Sequence, residues 1–204
     1  MSPNDALQAP PQLVLASTSP RRRELLQTLG IPFQVKPSGA SEQIDEPVDP
    51  VDYVQILARR KGREVADGLK RDPGSRLILA ADTVVVLDGI ILGKPTDADD
   101  AVHMLTRLQG RTHTVYTGVC LIDDQHEREQ VGHVGTQVTL RALAPDLIAR
   151  YVATGEPLDK AGAYAIQSLG VTLVERIEGD YSNVVGLPLR LVADWLTEFG
   201  VRIF

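Results

Sequence analysis

Cysteine is nearly missing from this chain of 204 residues. Cys120 stands alone, so no internal disulfide can form, a usage that fits a reducing compartment. It lies in an apolar, strand-like run, where a small core residue is a simpler reading than a nucleophile. Histidine is also scarce. His103, His113, His126 and His133 show no metal-ligand spacing and no Ser-His-Asp pattern. Gly-x-x-x-x-Gly-Lys-Ser/Thr is missing, as is Gly-x-Gly-x-x-Gly behind a strand, which removes Walker-type and Rossmann sites. No window approaches the ~18 apolar residues that span a bilayer, so no membrane partner is expected. Positive charge is in deficit. Lys and Arg total 21 against 27 Asp and Glu, a net charge of −6 that argues against a broad nucleic-acid-binding surface. Any site for a polyanion must therefore be a local concentration of basic groups.

The first dozen residues lack a basic start followed by an apolar stretch and do not resemble a signal peptide. Residues 1–11 are expected to be a flexible tail, 12–204 a single domain, and the location cytoplasmic. Strand-like and helix-like patterns alternate beyond the tail, which predicts an α/β class. Helices are expected over 20–29, 50–69, 96–108, 145–153 and 187–199. Strands are expected over 77–81, 84–87, 90–92, 112–122, 131–140 and 171–177. Asp88-Gly89 signals a type I′ hairpin, Thr96 is the expected cap of its helix, and Gly30 and Gly110 read as helix stops. So many hairpins exclude a plain doubly wound fold. The expectation is a mixed sheet with flanking helices, elongated into two lobes around a central cleft.

The most telling stretch is 16–26. An apolar strand gives way to Ser17 and Ser19, Pro20 suits the first helical position, and Arg21, Arg22 and Arg23 fill the first turn. Cations at the positive end of a helix cost up to about 1 kcal/mol each. An anion among them, held by hydroxyls, free amides and guanidinium groups, offsets that cost. The plain alternative is a helix capped by Ser19 with solvated arginines. Asp82 ends the run Leu77-Ile78-Leu79-Ala80-Ala81, which delivers a carboxylate to the edge of a buried strand. A buried carboxylate needs a partner: a metal ion, a lysine, a water to be activated, or the amides of a turn. Lys94 follows the hairpin that begins after Asp82, and is either a surface residue or a neighbour of that carboxylate. Lys61 lies four residues from both Leu57 and Val65, on a stripe that faces inward. It either snorkels or reaches toward a phosphate. Nothing in the spacing separates Glu42 from Asp45 and Glu46. Residues 156–168 mix charges, small residues and the amide of Gln167, so they form either an irregular packed loop or a place of close ligand approach.

Six ordered stretches together resemble the Maf family of nucleoside triphosphate pyrophosphatases. They are Leu-Ala-Ser-Thr-Ser-Pro-Arg-Arg-Arg-Glu-Leu-Leu (15–26), Ala-Asp-Thr-Val-Val (81–85), Gly-Lys-Pro (93–95), Tyr-Thr-Gly-Val (116–119), Glu-Pro-Leu-Asp-Lys-Ala-Gly-Ala-Tyr-Ala-Ile-Gln (156–167) and Gly-Leu-Pro-Leu (186–189). The resemblance implies an inosine-triphosphatase-like fold, a homodimer, a divalent cation (Mg2+ or Mn2+), and hydrolysis of a nucleoside triphosphate to monophosphate and pyrophosphate. Carried over by motif, Asp82 corresponds to the catalytic carboxylate. Ser17, Ser19, Arg22, Lys61 and Lys94 correspond to phosphate-binding positions, and Arg21, Thr83 and Gln167 to base-selecting ones. Glu42 corresponds to an acidic residue of the cleft that joins Asp82 at the metal, although Ser41 stands where the family has a second acid. Ala-Asp-Thr and Asp-Lys-Ala-Gly-Ala-Tyr-x-Ile-Gln are similar to the branch acting on dTTP and UTP, with modified pyrimidine nucleotides as further substrates and a house-cleaning or division-arrest role. A regulator of division that binds nucleotide without hydrolysing it is the competing expectation.

Overall fold

In the computed structural model, which describes residues 11–70 and 74–203, strands and helices are interspersed along the chain. In chain order they are β1 (Gln12–Leu15), α1 (Pro20–Gln27), β2 (Phe33–Val35), α2 (Pro50–Leu69), β3 (Arg76–Leu87), β4 (Ile90–Leu92), α3 (Ala98–Leu108), β5 (Thr112–Asp123), β6 (Arg128–Leu140), α4 (Pro145–Ala153), β7 (Val174–Glu178), α5 (Tyr181–Val185) and α6 (Leu189–Glu198). Apart from Pro11, the tail expected over 1–11 lies outside the described residues. Among the described residues, no helix is long and apolar enough to cross a membrane.

Local chemistry explains most boundaries. The Ser19 hydroxyl accepts from the Arg22 amide at 3.4 Å, with Pro20 in the first helical position, and this starts α1. Asp49 caps α2, whose Val54, Leu57, Ala58, Val65 and Leu69 are buried on one face. Asp88 and Gly89 adopt φ of 53° and 77°, the left-handed pair that a type I′ turn requires. Three boundaries depart from expectation. Asp97, not Thr96, caps α3 by accepting from the Asp100 amide at 2.8 Å, while the Thr96 amide donates to the Asp100 carboxylate at 2.9 Å. The Glu156 carboxylate accepts from the amides of Leu169 and Gly170, and Ser168–Leu173 winds into a 3-10 turn, so β7 starts only at Val174. The helix expected over 187–199 is α6, which starts two residues later at Leu189, and the short helix α5 precedes it and ends at Gly186 with φ of 124°.

Seven strands form one mixed sheet in the order β2-β1-β3-β5-β6-β7, with β4 beside β3. β2, β1 and β3 run parallel, and the remaining pairings are antiparallel. One expectation needs correction here. Asp82 does not end a strand: β3 runs unbroken through it and pairs with β5 from Leu77–Asp123 to Val86–Thr114. The polar pair Asp82-Thr83 looks like a break in sequence because its burial partners come from distant elements.

The other edge of β3 is covered in two pieces. β1 pairs with Arg76 to Leu79 and β4 with Val85 to Leu87, which leaves 80–84 without a strand neighbour on that side. The core divides at the same place. On one face, Leu77, Leu79 and Ala81 pack with α1 and α6, whereas Val85 and Leu87 pack with α3 and α4. On the opposite face, Ile78 and Ala80 pack under α2, and Val84 and Val86 join Val54. Asp82 and Thr83 are the two polar residues at this seam, one on each face.

α2 lies very close to the sheet opposite Asp82. Gly118 pairs with Asp82 across β3 and β5, and a Cβ there would sit 2.3 Å from the Val54 carbonyl oxygen. Gly118→Ala is therefore expected to lift α2 and to destabilise by about 1–3 kcal/mol. Gly68→Ala, in the same helix with nothing within 4 Å, should stabilise by up to about 1 kcal/mol. Urea unfolding of both variants checks the contrast; equal stability of the Gly118 variant and the parent would refute the close approach.

Candidate active site

A cavity of about 520 Å³ opens at the seam, within the size range of small-molecule sites. All ten residues given a role by the resemblance line it, Ser17, Ser19, Arg21, Arg22, Glu42, Lys61, Asp82, Thr83, Lys94 and Gln167, whereas Arg23, expected beside the same anion, does not. The local charge runs against that of the chain, because Arg21, Arg22, Lys61, Lys94 and Lys160 outnumber Glu42, Asp82 and Asp159 along its walls.

At its centre, one ammonium joins two carboxylates. Lys61 Nζ donates to Asp82 Oδ1 at 2.6 Å and to Glu42 Oε1 at 2.5 Å. Asp82 is only 7% exposed, and its Oδ2 makes no hydrogen bond among the described residues. Tyr53, Leu57 and Lys61 face the cavity together, as residues four apart on one helix must. Glu42, which no spacing distinguished, is held by the same helix. Arg60 donates to the backbone carbonyls of Ser41 and Gln43 on either side of it, both at 2.7 Å, while Lys61 takes its carboxylate. The Lys61 hydrogen bond keeps the Glu42 carboxyl below its usual pKa. Burial, reinforced by the charge of Asp82, raises the Tyr53 phenol above its usual range.

The start of α1 forms one wall. Ser17 is buried and its hydroxyl accepts from the Ser19 amide at 3.1 Å. Arg22 does not extend freely into the cavity. It donates to the carbonyls of Gly186 and Ala81, both at 2.8 Å, and to the Thr83 hydroxyl at 3.0 Å. Three of its five N–H donors are thereby used within the protein. Burial lowers its pKa, with the charge of Asp82 acting in the opposite sense. Arg21 makes a 3.5 Å ion pair with Asp159 across the cavity mouth, and Arg23 is exposed.

Residues beyond the hairpin close the far side. Lys94 is exposed and near enough to Glu42 to lower its pKa. Residues 156–159 and 161–163 form short 3-10 turns, and 164–167 follow without helix or strand. Within them, Lys160 donates to Asp159 at 2.5 Å, and the Gln167 side chain makes no hydrogen bond among the described residues. Tyr164 is braced from behind by His113, whose Nε2 lies 2.7 Å from the phenol oxygen. Sequence reasoning did not single out Tyr53, Lys160 or Asp159 individually. The four-residue step from Lys61 through Leu57 back to Tyr53 was the available signal for the first. Lys160 and Asp159 had only their place in an unusual stretch.

Among the described residues, no three His, Cys, Asp or Glu side chains converge as a complete protein cage for a metal. Glu42 and Asp82 do converge, on a point that already favours a cation. Two carboxylates completed by waters and phosphate oxygens are a donor set suited to Mg2+. Chemically, the cavity offers a cation-rich wall for a polyanion and, beside it, a carboxylate with one oxygen uncommitted.

Comparison with known proteins gives three findings. A family model described as Maf-like protein matches residues 12–199. The dTTP/UTP pyrophosphatases of Moorella thermoacetica and Gloeobacter violaceus are each 53% identical over 193 residues, 95% of this chain, and 97% and 98% of their own lengths respectively. The Ham1 protein of Staphylococcus aureus, a solved structure, has a TM-score of 0.52 at 14% identity over 92% of this chain and 98% of that one, a likeness of fold alone. The mixed sheet and this neighbour bear out the expected inosine-triphosphatase-like fold.

Burial pushes the His113 imidazole down to a pKa of about 4. An unfolded chain takes up that proton near the ordinary value of about 6.5, so stability is lost as pH falls from 6.5 toward 4. Between pH 7 and pH 4, the parent should lose about 3 kcal/mol more than His113→Phe, as measured by denaturant unfolding at both pH values. Parallel pH profiles for the two proteins would contradict a neutral buried imidazole.

Proposed function

The chain belongs to the Maf-like protein family, and from that membership and the chemistry of the cavity we propose that it hydrolyses dTTP and UTP to the monophosphate and pyrophosphate. The observation that carries the reading is the position of Asp82, nearly buried beside Lys61 in a cavity whose cations outnumber its acids. The substrate class is supported by the two dTTP/UTP pyrophosphatases that are 53% identical over 95% of the chain.

The triphosphate enters along the start of α1. Ser17, Ser19, Lys61 and Lys94 bind its oxygens, and Arg22 contributes its field and its remaining N–H donors. Their role is to spread the charge that repels a nucleophile and that develops on the bridging oxygen as pyrophosphate leaves. Lys61 holds Asp82 by Oδ1, and the free Oδ2 orients the water and accepts its proton. Water oxygen bonds to the α-phosphorus, and the bond from that phosphorus to the oxygen bridging to the β-phosphate breaks. Arg21, Thr83 and Gln167 face the base. Asp82 and Glu42, with phosphate oxygens, would hold a divalent cation, Mg2+ or Mn2+, which supplies Lewis-acid stabilisation of phosphate charge. In this proposal residues 12–204 act as one domain, as a cytoplasmic homodimer that requires neither nucleic acid nor membrane.

Asp82→Asn keeps the size of the side chain and removes its basicity. It is expected to lower pyrophosphate release from dTTP by at least about 100-fold while leaving the thermal transition in place. Near-normal release by a folded variant would reject Asp82 as the reacting carboxylate. Chelation of divalent ions should stop turnover, and Mg2+ or Mn2+ should restore it. Turnover that persists in excess chelator would remove the metal from the proposal. Nucleotide binding with no product under any condition would favour a regulator over an enzyme.

A further inference from the structure

Thr83 stands on the wall assigned to the base, and the direction of its hydroxyl proton is settled by residues behind it. Its Oγ1 receives Arg22 Nη2–H at 3.0 Å and lies 2.9 Å from Thr117 Oγ1. Either threonine could be the donor if that pair is taken alone. A third contact removes the choice. Thr117 Oγ1 also lies 3.0 Å from the backbone carbonyl of Asn183, which can only accept. A hydroxyl has one proton, and that of Thr117 goes to the carbonyl. Thr83 must therefore donate its own proton to Thr117. With one lone pair taken by Arg22, it retains a single open position, and that position is an acceptor.

The carbonyl that dictates this is itself fixed. Asn183 is fully buried, and its amide donates to the Val115 carbonyl at 3.0 Å and to Thr136 Oγ1 at 2.9 Å. Thr136 in turn donates to the Asp180 carbonyl and accepts from the Asp180 amide, so α5 cannot turn away from the sheet without breaking the set. Gln167 has no such constraint. Its side chain is unbonded among the described residues, and an amide presents either a donor or an acceptor after a half-turn. Gln167 alone cannot enforce one polarity of base edge, whereas Thr83 can.

We infer that Thr117, held by the Asn183 carbonyl, is a specificity-determining positioning residue: it makes Thr83 an obligate acceptor, which favours a pyrimidine carrying N3–H over one whose N3 is a lone pair. The inference rests on the dTTP and UTP reading above. Uracil and thymine present a donor at N3, and cytosine presents an acceptor there. Facing the open lone pair of Thr83, cytosine N3 meets a like-signed group, and neither can rotate to relieve it.

The test is the ratio of kcat/KM for UTP to that for CTP in the full chain. Thr117→Val keeps the shape and removes the hydroxyl, freeing Thr83 to donate. The ratio is expected to fall about tenfold or more, with UTP turnover kept, because the penalty for a mispaired polar group is withdrawn. Thr117→Ser restores the relay and should restore the ratio. An unchanged ratio in folded Thr117→Val, or a loss of equal size in Thr117→Ser, overturns the inference. Should Thr117→Val fail to fold, Thr83→Val removes the acceptor itself and must also lower the ratio; an unchanged ratio there overturns the inference equally. These outcomes are distinct from failure of the functional reading, which would appear as no pyrophosphate released from UTP or dTTP by the parent and would take the inference down with it.

Discussion

Between Leu79 and Val85, the central strand has no partner on one edge, and the rest of the molecule is arranged around that gap. Backbone groups left open at a sheet edge must find partners or water. Arg22 fills part of the gap by donating to the Ala81 carbonyl, and α1 is thereby tied to β3. Its other two contacts, at Gly186 and Thr83, tie in the turn before α6 and the opposite half of the strand. The apolar cores on either side of the gap stay separate, and the seam between them is where polar chemistry can be housed.

The second constraint is electrostatic. Asp82 is nearly buried, and a carboxylate removed from water without a counter-charge is costly. Lys61 meets that need, but only because α2 rides close over β5 at Gly118, two turns before the lysine. The same helix clamps the loop bearing Glu42 through Arg60. One helix thus sets the spacing of three charged groups. Charges held in this way need little rearrangement when a polyanion arrives, which is the property that lowers a barrier to phosphoryl chemistry.

How much of this was legible in the residues depended on where each partner lies in the chain. The start of α1 was readable because its signals, Ser19, Pro20 and the arginines, fall within one turn. Lys61 was readable because its apolar neighbours are four residues away on the same helix. Glu42 was not, since its anchors are Arg60 and Lys61, about twenty residues on. Asp82 was recognised as a residue and misplaced as a strand end, because its burial is made possible by α2 and β5 rather than by its neighbours in β3. Thr117 stands in one of the six family-like stretches but had no role of its own there, and Asn183 was not distinguished. Their significance lies in two hydrogen bonds in series across three elements.

By itself, then, the amino-acid order determined the alternation of strands and helices, the cap and charge of α1, the hairpin turn at Asp88-Gly89, and which side chains were suited to chemistry. These follow from interactions within a few residues, where propensity and capping act. Only the tertiary structure decided that β3 runs on through Asp82, that Arg22 is spent on protein carbonyls, and that Lys61 stands between two carboxylates. Those outcomes depend on distances between segments far apart in the chain, and such distances exist only once the core has packed.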